Sequence, residues 1–82
     1  MKRHTKIYFD YMGYSGHEFM PCEMCGAMAV DIHHISPKGM GGRPDKDTIR
    51  NLIALCRECH RWAHESKITQ ETMFGITKMR DN

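Results

Sequence analysis

The chain has 82 residues, of which 12 are lysine or arginine, 10 are aspartate or glutamate and 6 are histidine, giving a formal net charge of +2. This length allows one domain and excludes a second independent core. A domain of this size buries only about 60% of its unfolded surface, so we expect a metal ion or disulfides to stabilise it. The small positive charge alone does not establish a nucleic-acid partner.

Four cysteines are the candidates for this cross-link, and they form two C-x2-C motifs, Cys22/Cys25 and Cys56/Cys59. The N-terminal stretch MKRHTKIYFDYMGYSG has no apolar region typical of a secretion signal, so a cytoplasmic, reducing location is expected and disulfides are the weaker interpretation. Two such knuckles in a reducing compartment favour a tetrahedral, structural Zn²⁺ site. No apolar stretch approaches the length of a membrane span, so no membrane partner is expected.

The first elements predicted in chain order are an aromatic-rich segment and a strand. Aromatic side chains in residues 1–20 could stack on nucleobases, but packing over a small core is the favoured interpretation. Residues 29–35, AVDIHHI, alternate apolar and polar side chains and predict a strand that ends before Pro37. Residues 36–47 contain three glycines and two prolines, which predicts a loop.

The second half of the chain predicts one strand and two helices. The apolar run IRNLIALC, residues 49–56, predicts a strand that pairs with the first in a long-looped hairpin. From Arg57 the composition indicates a helix, on which His60 and His64 lie one turn apart on one face. A further helix is expected after Thr69, whose hydroxyl suits an N-cap, although an internal glycine weakens it.

Two adjacent histidines, His33 and His34, point to opposite faces of the predicted strand and therefore suit two different roles. One of them can join His60 and His64 around a second metal ion, while its neighbour stays available to accept a proton from water. Three imidazoles leave at least one coordination position open, which is typical of a catalytic metal site. The histidines expected at the surface without partners are His4 and His17.

The segments CEMC, VDIHHISPKGMGG and DTIRNLIALCRECHRWAH resemble the HNH endonucleases in the branch that carries a four-cysteine zinc site, including small phage and bacterial HNH proteins and the McrA-like group. The resemblance implies an α+β fold of the ββα-metal (His-Me finger) type, with a two-stranded hairpin and a following helix. It divides the chain into an aromatic-rich N-terminal segment (1–20), an HNH domain with zinc knuckles (21–66) and a C-terminal helix or tail (67–82).

The resemblance also implies a role for each matched histidine. His33 would bind a catalytic divalent ion together with His60 and His64, and His34 would be the general base. Because these ligands are all nitrogen atoms, Zn²⁺, Ni²⁺ or Mn²⁺ is favoured over Mg²⁺, without excluding it. The complete set of implied metal ligands is Cys22, Cys25, Cys56, Cys59, His33, His60 and His64.

Asn51 and Asp31 complete the candidate catalytic residues. The resemblance implies that Asn51 holds the loop between the strands. Asp31 lies two residues before His33 and could fix the tautomer of an imidazole, with an ordinary solvated aspartate as the alternative. Contacts to phosphates are expected from basic side chains on the loop, the second strand and the helix. These candidates are Lys38, Arg43, Arg50, Arg57 and Arg61.

The implied function is hydrolysis of DNA phosphodiester bonds by a metal-dependent endonuclease that uses a single divalent ion. So short a chain leaves little room for a recognition domain, so low sequence specificity is expected. Two alternatives are a non-catalytic zinc-ribbon module that binds nucleic acid and a subunit of a phage or restriction assembly that needs its partner. An exchangeable second metal ion that depends on His60 and His64 would favour the enzyme.

Overall fold

The structure, a computed structural model, describes residues 2–37 and 46–80. At its centre is an antiparallel hairpin of two four-residue strands, β1 (Asp31–His34) and β2 (Leu52–Leu55). The first residue of β1 lies opposite the last residue of β2, so the strands pair over their full lengths. A single turn of 3-10 helix (Ile49–Asn51) leads directly into β2.

Both faces of β2 are covered, because all four of its side chains are buried. A strand that is buried on both faces is expected to be apolar at every position, as LIAL is, and not at alternate positions. Successive side chains enter two different apolar clusters. The first cluster contains Cys22, Ile35, Ile53, Leu55, Cys59 and Met73, and the second contains Tyr8, Ala29, Ile32, Leu52 and Ala54.

Three helices cover the hairpin: α1 (Arg3–Met12), α2 (Arg57–His64) and α3 (Gln70–Arg80). Helix α1 supplies a buried side chain to the second cluster, whereas α2 and α3 each supply one to the first cluster. The hairpin therefore lies between α1 on one face and α2 with α3 on the other. The predicted α+β architecture, a two-stranded hairpin followed by a helix, is confirmed.

The starts of α2 and α3 are satisfied by side chains that the sequence places there. The Cys56 sulfur accepts a hydrogen bond from the Cys59 amide at 3.4 Å, so a candidate metal ligand also caps α2. The Thr69 hydroxyl accepts a hydrogen bond from the Thr72 amide at 3.1 Å, as the predicted N-cap of α3 requires. Helix α3 runs through Gly75 without a break.

Helix α1 was not expected from the sequence, since residues 3–12 contain several aromatic side chains and the helix has no side-chain N-cap. It ends where Gly13 adopts the left-handed conformation, with φ of 78°. Tyr8 is only 1% exposed and packs in the second cluster, whereas Tyr11 and Phe19 are exposed. Tertiary packing of Tyr8 thus compensates for the weak intrinsic helix propensity.

One carboxylate joins the terminal helices to the hairpin. Glu23 accepts hydrogen bonds from the Tyr8 hydroxyl at 2.7 Å, from the Ala54 amide at 3.0 Å and from the Arg80 guanidinium at 2.9 Å. Arg80 also donates to the carbonyl oxygens of Ile49 at 2.7 Å and Leu52 at 3.1 Å. Burial, together with the hydrogen bond to Glu23, raises the pKa of the Tyr8 hydroxyl.

The division at residues 20 and 66 stays a prediction, although the described terminal helices contribute core residues. Tyr8 from α1 and Met73 from α3 are both 1% exposed and lie in the same clusters as the strands. Among the described residues, no helix has the length and apolar character needed to cross a membrane.

Replacing Glu23 by alanine should lower the free energy of unfolding by about 3–5 kcal/mol, because it leaves the Arg80 guanidinium without its carboxylate. The side chains of this pair are only 11% and 12% exposed, so solvent screens the interaction weakly. Denaturant unfolding monitored by circular dichroism in excess Zn²⁺ measures the change. Glu65→Ala is the control, since solvent screens the ion pair of that exposed carboxylate with Lys67, and its loss should cost less than about 1 kcal/mol. Equal effects of the two variants would contradict a structural role for Glu23.

Candidate functional site

Two turns bring the four cysteines together at one end of the hairpin. Their sulfur atoms lie within 4.8 Å of one another, and the sulfurs of Cys25 and Cys56 are 3.7 Å apart. A tetrahedral ion with Zn–S distances of about 2.3 Å requires S–S separations of about 3.8 Å. None of the four cysteines forms a disulfide. The cluster is therefore compatible with a structural zinc site.

The surroundings of the cysteines shift the pKa values of their thiols in different directions. Burial raises the pKa of Cys22, but hydrogen bonds from the backbone of Cys56, Cys25 and Met24 outweigh it and lower the pKa to about 7. For Cys59, burial and the neighbouring thiols raise the pKa instead. A cation among the four sulfurs would offset this crowding, because its charge favours every thiolate at once.

Three histidines meet on the face of the hairpin that α2 covers. His33 projects from β1, while His60 and His64 occupy successive turns of α2. The Nε2 atoms of His60 and His64 are 3.1 Å apart, and the ring centroid of His33 lies 5.0 Å and 5.5 Å from their centroids. Nitrogen ligands of a tetrahedral ion are separated by about 3.3 Å, so this spacing suits a metal ion.

The surroundings of this triad are compatible with metal binding. Burial, followed by the neighbouring imidazoles of His60 and His64, lowers the pKa of His33 to about 4. His33 is therefore neutral at physiological pH and retains a lone pair for a metal ion. The Nδ1 atom of His60 lies 3.3 Å from the Asp31 carboxylate, which leaves Nε2 for the ion. Asp31 thus contacts a candidate ligand at the distance expected of an orienting partner.

His34 lies on the opposite face of β1, as strand alternation requires. Its Nε2 atom is 2.7 Å from Oδ1 of Asp47, and its ring centroid is 4.5 Å from that of His4. His4, expected at the surface without a partner, is instead half-buried on α1 beside His34. The adjacent histidines consequently belong to two separate side-chain clusters.

Both clusters open into one cleft of about 410 Å³ at the end of the hairpin. The three histidines His33, His60 and His64 line one part of it, and His34 with His4 line another. The cleft is open to solvent, and Lys2 adds a basic side chain to its wall. A phosphate in this cleft could contact a metal ion held by the triad and lie near His34 at the same time.

Asn51 is buried at the end of the 3-10 turn. Its Oδ1 accepts a hydrogen bond from the Ser36 amide at 2.7 Å, and its Nδ2 donates to the carbonyl oxygens of Ser36 at 3.0 Å and Lys46 at 2.9 Å. These bonds connect the segment that leaves β1 with the segment that returns to the 3-10 turn. Asn51 thus holds together the two described ends of the loop.

The structure describes three of the five residues expected to contact phosphates. Arg50, Arg57 and Arg61 are exposed, and the Arg61 guanidinium is 3.8 Å from the Glu58 carboxylate. Lys38 and Arg43 lie outside the described residues. No contact within the described residues shows which of these side chains would bind a nucleic acid.

Two residues that contact His34 were not singled out from the sequence: Asp47 and His4. Asp47 stands among other charged residues in a predicted loop, 13 positions from the histidine that it contacts. His4 lies on a helix that was not predicted. Neither contact leaves a periodic signal in the sequence, since both depend on elements that meet only in the folded chain.

Comparison with known proteins gives one family and several relatives. The family model described as HNH endonuclease matches residues 22–66. The Type IV methyl-directed restriction enzyme EcoKMcrA of Escherichia coli (strain K12) is 38% identical over 60 residues, covering 61% of this chain and 21% of that enzyme. The uncharacterised protein YdfU of the same organism is 34% identical over 55 residues, covering 67% and 16%.

A third relative is the mitochondrial DNA mismatch repair protein mutS homolog of Sarcophyton glaucum, 37% identical over 51 residues, covering 58% of this chain and 5% of that protein. The chain therefore spans less than a quarter of the length of each of these curated relatives. No solved structure matched the chain. The matched region contains both cysteine knuckles, both strands and α2, and by this match the chain belongs to the HNH endonuclease family.

Proposed function

We propose that this chain is a metal-dependent endonuclease that hydrolyses DNA phosphodiester bonds. The observation that carries the proposal is the cleft shared by two different clusters, His33 with His60 and His64 on one side and His34 on the other. Phosphodiester hydrolysis requires a cation near the phosphate oxygens and a base for the attacking water. Family membership supports nuclease activity in general, and the shared cleft supports this division of roles.

The residues that would hold the metal ions are assigned by donor chemistry. Cys22, Cys25, Cys56 and Cys59 would hold a structural Zn²⁺. His33, His60 and His64 would hold a divalent ion, with Zn²⁺, Ni²⁺ or Mn²⁺ favoured over Mg²⁺. When bound there, the ion would supply positive charge to the phosphate and to the oxygen that leaves.

The protein's own groups would bind, orient and move the proton. His34 would act as the general base and accept a proton from the attacking water. Asp31 would act as a positioning residue through its contact with His60, and Asn51 through its hydrogen bonds to the two ends of the loop. Neither of these side chains needs to touch the substrate for this role.

DNA is the proposed partner, bound with low sequence specificity through its phosphates. The candidate contacts are the basic side chains of the loop, the 3-10 turn and α2: Lys38, Arg43, Arg50, Arg57 and Arg61. EcoKMcrA is named as a methyl-directed restriction enzyme, and the chain matches only part of it. We therefore propose that the unit can also act within a larger phage or restriction assembly, in a cytoplasm that keeps its four thiols reduced.

The metal assignment predicts two ions of different lability. After dialysis, the wild type should retain one Zn²⁺ per chain, because four thiolates enclose it, and it should bind one further, exchangeable ion. The double variant His60→Ala/His64→Ala should lose only the exchangeable ion, since the cysteine cluster is untouched. Elemental analysis of dialysed protein and calorimetric titration with Ni²⁺ or Mn²⁺ measure the two ions.

His17→Ala is the matched control for this experiment, because His17 is exposed and lies outside the described metal-binding groups. It should bind both ions as the wild type does. If the double variant still binds the second ion with unchanged affinity, the histidine triad is not the exchangeable site.

Cleavage of supercoiled plasmid tests the proposed chemistry. Purified wild type should convert plasmid to nicked or linear DNA with at least one of Mg²⁺, Mn²⁺, Ni²⁺ and Zn²⁺, and a chelator should abolish this conversion. His34→Ala should lower the rate by about 10²-fold or more, because it removes the general base. His17→Ala should retain the full rate.

Circular dichroism and zinc content should show that His34→Ala remains folded. A folded variant as active as the wild type would contradict the assignment of His34. A wild type that is inert with every metal, yet binds DNA, would instead favour the zinc-ribbon module or the subunit that needs a partner.

The salt dependence of DNA binding tests the proposed phosphate contacts. In the His34→Ala background, Arg57→Ala should weaken binding to all sequences and reduce the slope of log K against log salt by about 1, because one counterion fewer is released. Lys78→Ala is the control, because Lys78 lies about 12 Å along α3 from Gln70, the end of the helix that borders His33 and His64. An unchanged slope for Arg57→Ala would remove that residue from the interface.

A further inference from the structure

We propose that Asp47 is a positioning residue that holds His34 in the tautomer required of a general base, with the proton on Nε2 and the lone pair on Nδ1. This inference rests on the proposed nuclease function and adds to it a residue that the sequence did not single out. The two side chains are 13 positions apart in the chain and meet only in the folded protein.

The geometry identifies which nitrogen carries the proton. Oδ1 of Asp47 lies 2.7 Å from Nε2 of His34, a short distance for a hydrogen bond that involves a charged group. An ionised carboxylate can only accept, so Nε2 must donate. In a neutral imidazole one nitrogen donates and the other accepts, which leaves Nδ1 to receive a proton from water.

The surroundings of Asp47 fix it firmly in this position. Its side chain is 1% exposed, whereas the His34 side chain is 15% exposed and lines the cleft. The second carboxylate oxygen, Oδ2, lies 3.6 Å from Nε of Arg3, whose positive charge stabilises an ionised Asp47. A buried carboxylate with a cation beside it suits a fixed acceptor better than an ordinary solvated charge.

Asn51 connects this pair to the rest of the fold. Its Nδ2 donates to the carbonyl oxygen of Lys46, the residue directly before Asp47, at 2.9 Å. Its hydrogen bonds to Ser36 hold the backbone two residues after His34. One buried amide thereby fixes the backbone beside both members of the pair, so Asn51 acts on His34 through Asp47.

The same side chains could instead bind a cation, because the ligand atoms of His4, His34 and Asp47 lie within 4.8 Å of one another. The Arg3 guanidinium disfavours this arrangement, since a divalent ion would lie close to its positive charge. A histidine bound to such an ion would also lose the lone pair that the hydrolysis needs. The two possibilities differ in metal content, which can be measured.

The hydrolytic step assigns each proton. An O–H bond of water breaks, its proton goes to Nδ1 of His34, and the water oxygen forms a bond to phosphorus. The bond from phosphorus to the 3′ oxygen breaks, and that oxygen takes a proton from solvent. Asp47 keeps its hydrogen bond to Nε2 throughout and stabilises the imidazolium that forms.

The first experiment measures the tautomer without any need for activity. Long-range ¹H–¹⁵N spectra of the wild type, at a pH where His34 is neutral, should show the proton of the His34 ring on Nε2. Asp47→Asn should shift the population toward the Nδ1-protonated form, because the new amide can donate to Nε2. Asp10→Asn, which removes an exposed carboxylate from α1, is the matched control and should leave the spectrum unchanged.

The second experiment measures the catalytic consequence. Asp47→Asn should lower kcat by about 10²–10⁴-fold with KM changed less than about threefold, whereas Asp10→Asn should keep the wild-type values. In a His34→Ala background, Asp47→Asn should have no further effect, since it acts through the missing imidazole. A merely structural role would add its own loss in that background and would overturn the inference.

Four results would contradict the proposal in whole or in part. A wild-type His34 protonated on Nδ1 would overturn it even if Asp47→Asn failed to fold. A metal ion lost from His4→Phe, with the two other ions retained, would assign the cluster to metal binding. An active wild type whose kcat is unaffected by Asp47→Asn would overturn this inference alone. An inert wild type with the Nε2-protonated ring would overturn the nuclease proposal and the catalytic part of this inference. That second result would still support the tautomer assignment.

Discussion

The period of two along β1 is the constraint on which the site depends. Because neighbouring side chains of a strand point to opposite faces, His33 meets α2 and His34 meets the segment around α1 and Asp47. The two histidines line one cleft at the point where β1 ends. A shift of the strand register by one residue would exchange their surroundings and separate each from its partners.

The cysteine cluster stabilises this arrangement at the opposite end of β2. Cys56 follows the last residue of β2 and caps α2, and the next residue after Cys59 is His60. Because His60 directly follows a residue of the cluster, its position relative to His33 depends on the position of the cluster. Two of the four buried β2 side chains, Ile53 and Leu55, also pack in the same apolar cluster as Cys22 and Cys59.

Much of the fold could be predicted from the sequence, and the parts that could not share a physical reason. Both strands, α2 and α3 follow from local signals: alternation at residues 29–35, a short apolar run, histidines four apart and a threonine cap. Helix α1 has no such signal, because it depends on the burial of Tyr8 against a hairpin more than twenty residues away. Local sequence patterns therefore predict the strands, α2 and α3, whereas α1 is stabilised by contacts with residues that are distant along the chain.

The same distinction applies to the candidate site. The cysteine and histidine positions were identifiable because metal ligands recur at fixed spacings, and the structure places the ligand atoms of each group within 4.8 Å of one another. Asp47 and His4 have no fixed spacing to His34, so only the folded chain brings them together. The catalytic and ligand roles of all these residues stay predictions.

Glu23 lies between two cysteines of the first knuckle and contacts residues 15 positions before it and 57 positions after it. Its contacts with Tyr8 and Arg80 therefore depend on the turn that Cys22 and Cys25 form around it. A zinc ion bound by the four cysteines would brace this turn, so its loss would weaken one contact of each terminal helix at the same time. Both ends of the chain would then open locally more often, through a single carboxylate.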